Sequence, residues 1–266
     1  MTDLDGSRFD AQLRGWRTLT TLHPLPIDLA RIALIREKTA AELARADVIE
    51  RLLPQLGLND EALDEFPDEL RPYCGQGLRV WQYPTQFGKY LAQLAGLGVR
   101  SYLELGVRHG GSFVTTVEVL ERHRHLDYAI AVDIIACPAM AEYAKLNPRI
   151  EFCRLNTQSA EFAALLRRLH SIDLVFIDSH HEERQCRQEI AAVREVANII
   201  AMHDISNVGC PGVAAVWEEV KASGEYTCFE YTDQYAGMGP YMGIGLAVKN
   251  ERLARRPRSD DPLAPK

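Results

Sequence analysis

A chain of 266 residues, 47% apolar and 25% charged, is long enough for one α/β domain with an accessory segment and apolar enough to bury a sizeable core. Its net charge of −7 gives no sign of a nucleic-acid partner, and no stretch approaches the ~18 uninterrupted apolar residues of a membrane span. The acidic start MTDLDGSRFD is unlike a secretion signal, and the six cysteines form no CxxC pair, so they read as reduced, mostly buried thiols of a cytoplasmic protein and not as a zinc cluster or redox motif.

The first 25 residues show no periodic pattern. Over 27–53 the spacing predicts helix, with Ile27, Leu34 and Ile35 on one face and Ile49, Leu52 and Leu53 together on another. Pro54 and Gly57 are expected to end it, and a short helical stretch is expected over 61–66. Residues 1–75 thus read as a helical N-terminal section, a lid or an oligomer contact. A helix is predicted over 85–95. Beyond Gly98, short apolar runs alternate with helical stretches, which signals a parallel sheet with crossover helices. Strands are expected over 101–105, 128–133, 150–155, 172–178 and 198–202. Helices are expected over 111–122, 138–146, 159–169, 182–196 and 211–222. Two last strands, near 226–231 and 241–248, are close enough to pair as an antiparallel edge. The Arg-, Asp- and Pro-rich tail over 250–266 reads as disordered, which leaves 76–249 as the sheet-bearing domain.

Open parallel sheets bind ligands at the carboxyl ends of their strands, so the residues just after each strand matter most. The first such segment is Glu104-Leu-Gly106-Val-Arg-His-Gly110-Gly111-Ser112. Its glycines permit a tight turn and a close ligand approach, and the helix start offers free N–H groups to an anion. The spacing E-x-G-x-x-x-G departs from the dinucleotide fingerprint, and a plain glycine-rich strand–helix turn is the alternative. Asp133 closes the second strand, where a carboxylate can accept both hydroxyls of a ribose; the alternative is a helix cap. Asn156, Gln158 and Ser159 follow the third strand and offer polar groups to an adenine edge, although Ser159 alone is better read as a helix cap.

The fourth strand ends Val175-Phe-Ile-Asp178-Ser-His180-His181 and the fifth ends Ile200-Ala-Met-His203-Asp204. Adjacent strands would bring Asp178, His203 and Asp204 to one rim. Carboxylates with an imidazole suit a divalent cation, Mg²⁺ or another, which can lower the pKa of a bound hydroxyl. His181, three residues after Asp178, is placed to act as general base. Singly, each histidine is as well explained by a cap, a solvent-facing position or a satisfied buried site. Trp217 reads as core. Trp81, Tyr83 and Gln86 either close over the cofactor or pack beneath the sheet. The loop Tyr235-Ala-Gly-Met-Gly-Pro-Tyr241-Met-Gly243 is a substrate gate or a turn.

From Gly98 to about Lys249, the order of these segments resembles the seven-stranded, Rossmann-like class I S-adenosylmethionine-dependent methyltransferases. The resemblance implies that Glu104, Gly106, Gly110 and Ser112 shape the methionine pocket, that Asp133 binds the ribose, and that Asn156 and Gln158 lie near the adenine. The D-x-x-H after strand four and the polar pair after strand five resemble the metal-dependent O-methyltransferases of sugar and macrolide tailoring and the group described as cephalosporin hydroxylases. There, Asp178, His203 and Asp204 fall on the metal positions and His181 on the base. Those families carry an acid where this chain has His203, and they carry a Pro-Gly-Gly turn where this chain reads Arg194-Glu-Val-Ala-Asn198. The implied function is methyl transfer to a hydroxyl of a sugar or natural product, by a homo-oligomer or a monomer. A metal-dependent hydrolase or oxygenase on the same sheet, or a non-catalytic cofactor-binding subunit, are the rival readings.

Overall fold

Five apolar runs become the parallel strands β1 (Ser101–Leu105), β2 (Tyr128–Asp133), β3 (Ile150–Arg154), β4 (Ile172–Ile177) and β5 (Ala197–His203) of a computed structural model that describes residues 24–61 and 63–254. They read as nearly continuous apolar runs because helices cover both faces of the sheet. The antiparallel strands β6 (Tyr226–Tyr231) and β7 (Ile244–Lys249) complete a seven-stranded sheet in the order β3-β2-β1-β4-β5-β7-β6. The later strand, β7, lies inside against β5, and β6 forms the edge. The expected strand over 241–248 begins only at Ile244, because residues 241–243 belong to the connecting loop.

Period-two alternation divides the core. Tyr102, Ala129, Ala131, Leu174, Phe176 and Leu246 face one layer. That layer contains α4 (Pro84–Ala95), α5 (Gly111–His123) and α6 (Pro138–Leu146). Leu103, Leu105, Ile130, Val132, Val175 and Ile200 face the other. There they meet α7 (Ala160–Leu169), α8 (Glu183–Val193) and α9 (Pro211–Ala222). The chain leaves β1 for β2 on one side and returns through β4 on the other. The crevice between the carboxyl ends of β1 and β4 is therefore the switch point of the sheet.

The N-terminal section differs from its expectation in detail. The single helix predicted over 27–53 is three: α1 (Ile32–Arg36), α2 (Ala40–Leu43) and α3 (Ala46–Leu56). Thr39 accounts for the break. Its hydroxyl accepts from Glu42 N–H while the Glu42 carboxylate accepts from Thr39 N–H, a capping box that starts a new helix. Pro54 does not end α3. It sits in the last turn, and the stop falls at Gly57, at φ +100°. The helical stretch expected over 61–66 is a single 3₁₀ turn, Leu63–Glu65.

This section shares one core with the sheet, since Ile35, Leu53 and Leu56 pack in the same layer as Phe87, Tyr90 and Phe113. Arg36 ties it to α5 by a two-pronged bond to Glu118, at 2.8 and 2.7 Å. The tail is ordered further than expected. Asn250–Ala254 forms α10, held where Arg252 Nη1 donates to Asp173 Oδ1 at 2.6 Å and Nη2 donates to Leu97 O at 2.9 Å. The rest of the expected disordered tail, and the irregular start over 1–23, lie outside the described residues. No helix among the described residues is long and apolar enough to cross a membrane.

Candidate active site

The loop from β1 to α5 is shaped from several sides. Gly106 stands at φ +87°, which favours glycine, and a Cβ there would lie 2.0 Å from the backbone oxygen of Asp178. Its missing side chain therefore admits the end of β4, and the expected ligand approach is not what its missing Cβ makes room for. Gly110 opens α5 at φ +92°, with its Cβ direction blocked 2.4 Å away by Met140 Cε. Asp133 braces this loop. Its Oδ2 accepts from the N–H groups of Val107 (2.9 Å) and Arg108 (2.8 Å), and its Oδ1 accepts from Ile135 N–H (2.9 Å). Burial raises the Asp133 pKa, and the same backbone N–H groups offset part of that rise.

The Arg108 side chain forks onto Glu61, Nε donating to Oε2 at 2.6 Å and Nη2 to Oε1 at 2.7 Å. His109 Nε2 is 2.8 Å from the same Glu61 Oε2, and Leu25 N–H donates to His109 Nδ1 at 2.8 Å. The accessory section thereby grips the loop at two successive residues. A pairing of residues 48 positions apart leaves no periodic trace in the sequence, so Glu61 was not foreseen.

A cavity of about 420 Å³ opens at the switch point. Of the predicted cofactor residues, Gly106, Asp133, Asn156 and Gln158 line it, together with Asp178. Val132, Ile135 and Leu155 give it apolar wall. Polar groups on an apolar wall, at the carboxyl ends of β1 to β4, fit a ligand with a ribose and a flat base. Asn156 Oδ1 accepts from Gln158 N–H at 2.8 Å and thus holds its own turn. Ser159 caps α7, accepting from Phe162 N–H at 3.2 Å. Glu189 was also missed. Buried in α8, it accepts from Thr157 Oγ1 at 2.6 Å and from Ser179 Oγ at 2.6 and 2.7 Å, so it ties together two loops of the cavity. An acid inside a helix carries no such signal in the sequence.

Glu104, Gly110 and Ser112 stand behind the loop, outside the cavity lining. Glu104 is fully buried, accepting from the Tyr102 hydroxyl and from Ser112 Oγ at 2.8 Å. Burial pushes its pKa up to about 8, and the two hydroxyl donors only partly offset this. Between pH ~5 and ~8 the folded chain keeps a proton that the unfolded chain has released. Stability is therefore highest at the acid end of that window and declines as pH rises, by roughly 3 kcal/mol. Glu104→Gln, neutral throughout, is expected to flatten the decline. Denaturant titrations at pH 5.5 and pH 8 check this, and an unchanged difference between the two would show that Glu104 is ionised in the fold.

At the other end of the crevice, Asp178, His181, His203 and Asp204 present donor atoms that all lie within 4.8 Å of one another. The ends of β4 and β5 are neighbours, so the predicted rim is formed. His203 Nδ1 is 3.2 Å from Asp178 Oδ1 and 3.5 Å from Asp204 Oδ2. His181 spans the same two acids, with Nε2 3.4 Å from Asp178 Oδ1 and Nδ1 3.2 Å from Asp204 Oδ2. Asp204 stands at φ +62°, a strained backbone for a non-glycine residue, and Asn207 Nδ2 donates to its Oδ1 at 2.9 Å. Gln82 Nε2 donates to Asp178 Oδ2 at 3.3 Å.

Burial opposes charge on His203, but the carboxylates of Asp178 and Asp204 outweigh it and lift its pKa to about 10. His181 is likewise held well above its ordinary value, against burial, by Asp178, Cys210 and Asp204. The two carboxyls are held low against burial, chiefly by His203. His180 is not part of the cluster. Its Nε2 lies 3.3 Å from Glu182 Oε1, and the residue lines the cavity at the switch point.

Three aromatic and amide residues are placed differently from a cofactor cover. Gln86 is fully buried and pins the 233–243 loop, donating to Asp233 O and accepting from Gly243 N–H, both at 2.8 Å. Trp81 Nε1 donates to Glu65 Oε2 at 3.3 Å, and the Tyr83 hydroxyl donates to Glu65 O. Trp217 is core, as expected, with Nε1 donating to Glu230 Oε1 at 2.6 Å.

Residues 103–205 match the family model described as a methyltransferase domain. No curated protein matches this chain in sequence. Among solved structures, one from Klebsiella pneumoniae, provisionally described as an O-methyltransferase, is 15% identical, with a TM-score of 0.50 over 92% of this chain and 96% of its own. An O-methyltransferase from Bacillus cereus in complex with SAH is 19% identical, with a TM-score of 0.46 over 81% of this chain and 99% of its own. The O-methyltransferase TomG from Streptomyces achromogenes, in complex with SAM, is 18% identical, with a TM-score of 0.47 over 76% and 96%. The likeness to the Klebsiella pneumoniae structure concerns the fold. Residues 103–205, which span the end of β1 through β5, match a methyltransferase domain, and the sheet order and the cavity at its switch point agree with that match.

Proposed function

We propose that this enzyme transfers the methyl group of S-adenosylmethionine to a hydroxyl of a small molecule, a sugar or a natural product, assisted by a divalent cation and by His181 as base. The observation that carries the reading is the double membership of Asp178. It lines the cofactor cavity and belongs to the Asp178–His181–His203–Asp204 cluster. Cofactor and proton-handling groups thus meet at one residue.

Methyl transfer from a sulfonium is an in-line displacement: the hydroxyl oxygen bonds the methyl carbon as the sulfur–carbon bond breaks, and the hydroxyl proton leaves. The protein needs only to align the two and accept the proton. In this reading Gly106 and the loop braced by Glu104, Gly110 and Ser112 shape the methionine end. Asp133 offers its remaining acceptor edge to the ribose, and Asn156 and Gln158 border the adenine.

The cluster fits a cation. Both ring nitrogens of His203 are buried and make no hydrogen bond among the described residues, although Nδ1 comes within ion-pair distance of both acids. Asp178, His203 and Asp204 would hold the ion, which when bound lowers the pKa of a coordinated hydroxyl. With both carboxylates so committed, His181 loses the charges that keep it protonated and becomes able to take the substrate proton.

Calorimetric titration of the full chain with S-adenosylhomocysteine, with and without divalent cation, tests the reading. Binding at micromolar ligand, lost on filling the cavity by Asn156→Trp, supports it. No binding at millimolar ligand would leave the cluster to a metal-dependent hydrolase or oxygenase.

A further inference from the structure

The cluster at the ends of β4 and β5 is unusual in its donors. The space between Asp178 and Asp204 is bordered by two imidazoles, His181 and His203, and by the Cys210 thiol, whose Sγ is 3.4 Å from His181 Nδ1 and 3.7 Å from Asp204 Oδ2. Three of these five groups are nitrogen or sulfur donors. Magnesium favours oxygen donors and an octahedral shell in which it keeps several waters. Imidazole favours zinc, iron, cobalt or nickel, and any nitrogen-containing site holds these more tightly than the hard cations.

The spacing agrees with the donor types. Nitrogen and oxygen ligands ~2.0–2.1 Å from a tetrahedral ion stand about 3.3 Å from one another. His203 Nδ1 stands 3.2 Å from Asp178 Oδ1 and 3.5 Å from Asp204 Oδ2, and one donor atom from each of the four residues lies within 4.8 Å of the others. His203 adds an independent observation. It is almost fully buried, and its Nδ1 faces both acids at close range without the direction a hydrogen bond needs. A buried imidazole nitrogen beside two carboxylates and without a hydrogen-bond partner becomes a metal ligand when the arriving cation displaces its proton.

We infer that this site selects a transition-metal dication of the zinc and iron class over magnesium, with His203 Nδ1 as the selecting ligand between the carboxylates of Asp178 and Asp204. This deepens the proposed function, since it names the ion of the same site, but it does not depend on the methyl donor. The Cys210 thiol and His181 stand beside the three ligands, with Sγ 3.4 Å from His181 Nδ1.

The test uses the full chain, stripped with a chelator and dialysed. Zn²⁺ and Mg²⁺ are titrated by calorimetry, and Co²⁺ by its visible absorption. One Zn²⁺ per chain is expected, bound at least 100-fold more tightly than Mg²⁺, with Co²⁺ giving the intense bands of a low-coordinate site. His203→Asp, which exchanges the imidazole for a hard donor, is expected to reduce the Zn²⁺ preference at least tenfold.

Because His203 is buried, Asp178→Asn serves as a second variant, and circular dichroism reports whether each variant folds. Magnesium bound as tightly as zinc would overturn the inference. So would zinc binding that both variants leave unchanged. S-adenosylhomocysteine titrated into the same metal-free protein separates the two readings: failure there with zinc binding intact ends the methyltransferase mechanism and leaves the metal assignment standing.

Discussion

Replacing His181 by alanine is expected to lower the rate of methyl transfer by about 10²–10⁴-fold, the usual contribution of a positioned general base. The affinity for S-adenosylhomocysteine is expected to change by no more than about threefold, because His181 does not line the cofactor cavity. The geometry gives the reason. His181 sits between Asp178 and Asp204, with a ring nitrogen 3.4 and 3.2 Å from each, and its side chain stays about one-third exposed. It is therefore both oriented and reachable. Single-turnover measurement of S-adenosylhomocysteine formation, on any acceptor the native chain methylates, checks the rate. A loss that appears in acceptor KM alone would make His181 a substrate contact and not the base.

The pattern of what could be read from the sequence follows the range of the interactions. The strands were legible because a sheet covered on both faces needs runs of apolar residues, and runs such as Tyr128–Asp133 carry that signal locally. The rim of Asp178, His203 and Asp204 was legible for a related reason: parallel neighbours end at one level, so residues closing β4 and β5 must meet. The helix break at Thr39 was also local, yet the capping box competes with an uninterrupted apolar periodicity, and periodicity alone favours one long helix.

What depended on distant partners was not legible. Gly106 looked like a place for a ligand to approach, but the atom closest to its missing Cβ is the Asp178 carbonyl oxygen, brought there by strand pairing. Glu61 holds a loop of the site from 47 and 48 residues away, Glu189 ties loops 10 and 32 residues away, and neither stands in a motif. Gln86 belongs to the same class, since its partners are Asp233 and Gly243. In each case the residue type permits many roles, and only the fold selects one.

Asp133 carries the second large prediction, because two functions converge on one carboxylate. Its oxygens accept from Val107, Arg108 and Ile135, and a carboxylate has roughly four acceptor positions. Most of its capacity therefore goes to the loop, and little is left for a ribose. Asp133→Ala would orphan three N–H groups around a buried site, each worth about 1–3 kcal/mol if left unpaired. The loop at Gly106–Gly110 would lose its shape along with the ribose contact proposed for Asp133. The expected result is at least 100-fold weaker binding of S-adenosylhomocysteine, with a destabilisation of about 2–4 kcal/mol where the loop and water recover part of the loss.

Asp133→Asn separates the two functions. The amide oxygen can still accept from Val107 and Arg108, while the edge facing Ile135 N–H becomes a donor. Stability should then fall by about 1–2 kcal/mol, less than for alanine, since one acceptor site is lost and not three. If binding falls as far as in the alanine variant, Asp133 acts by charge on the ribose. If binding follows stability, it acts by holding the loop. Unchanged affinity in both variants would remove Asp133 from the site, and with it the placement of the cofactor along β1 and β2.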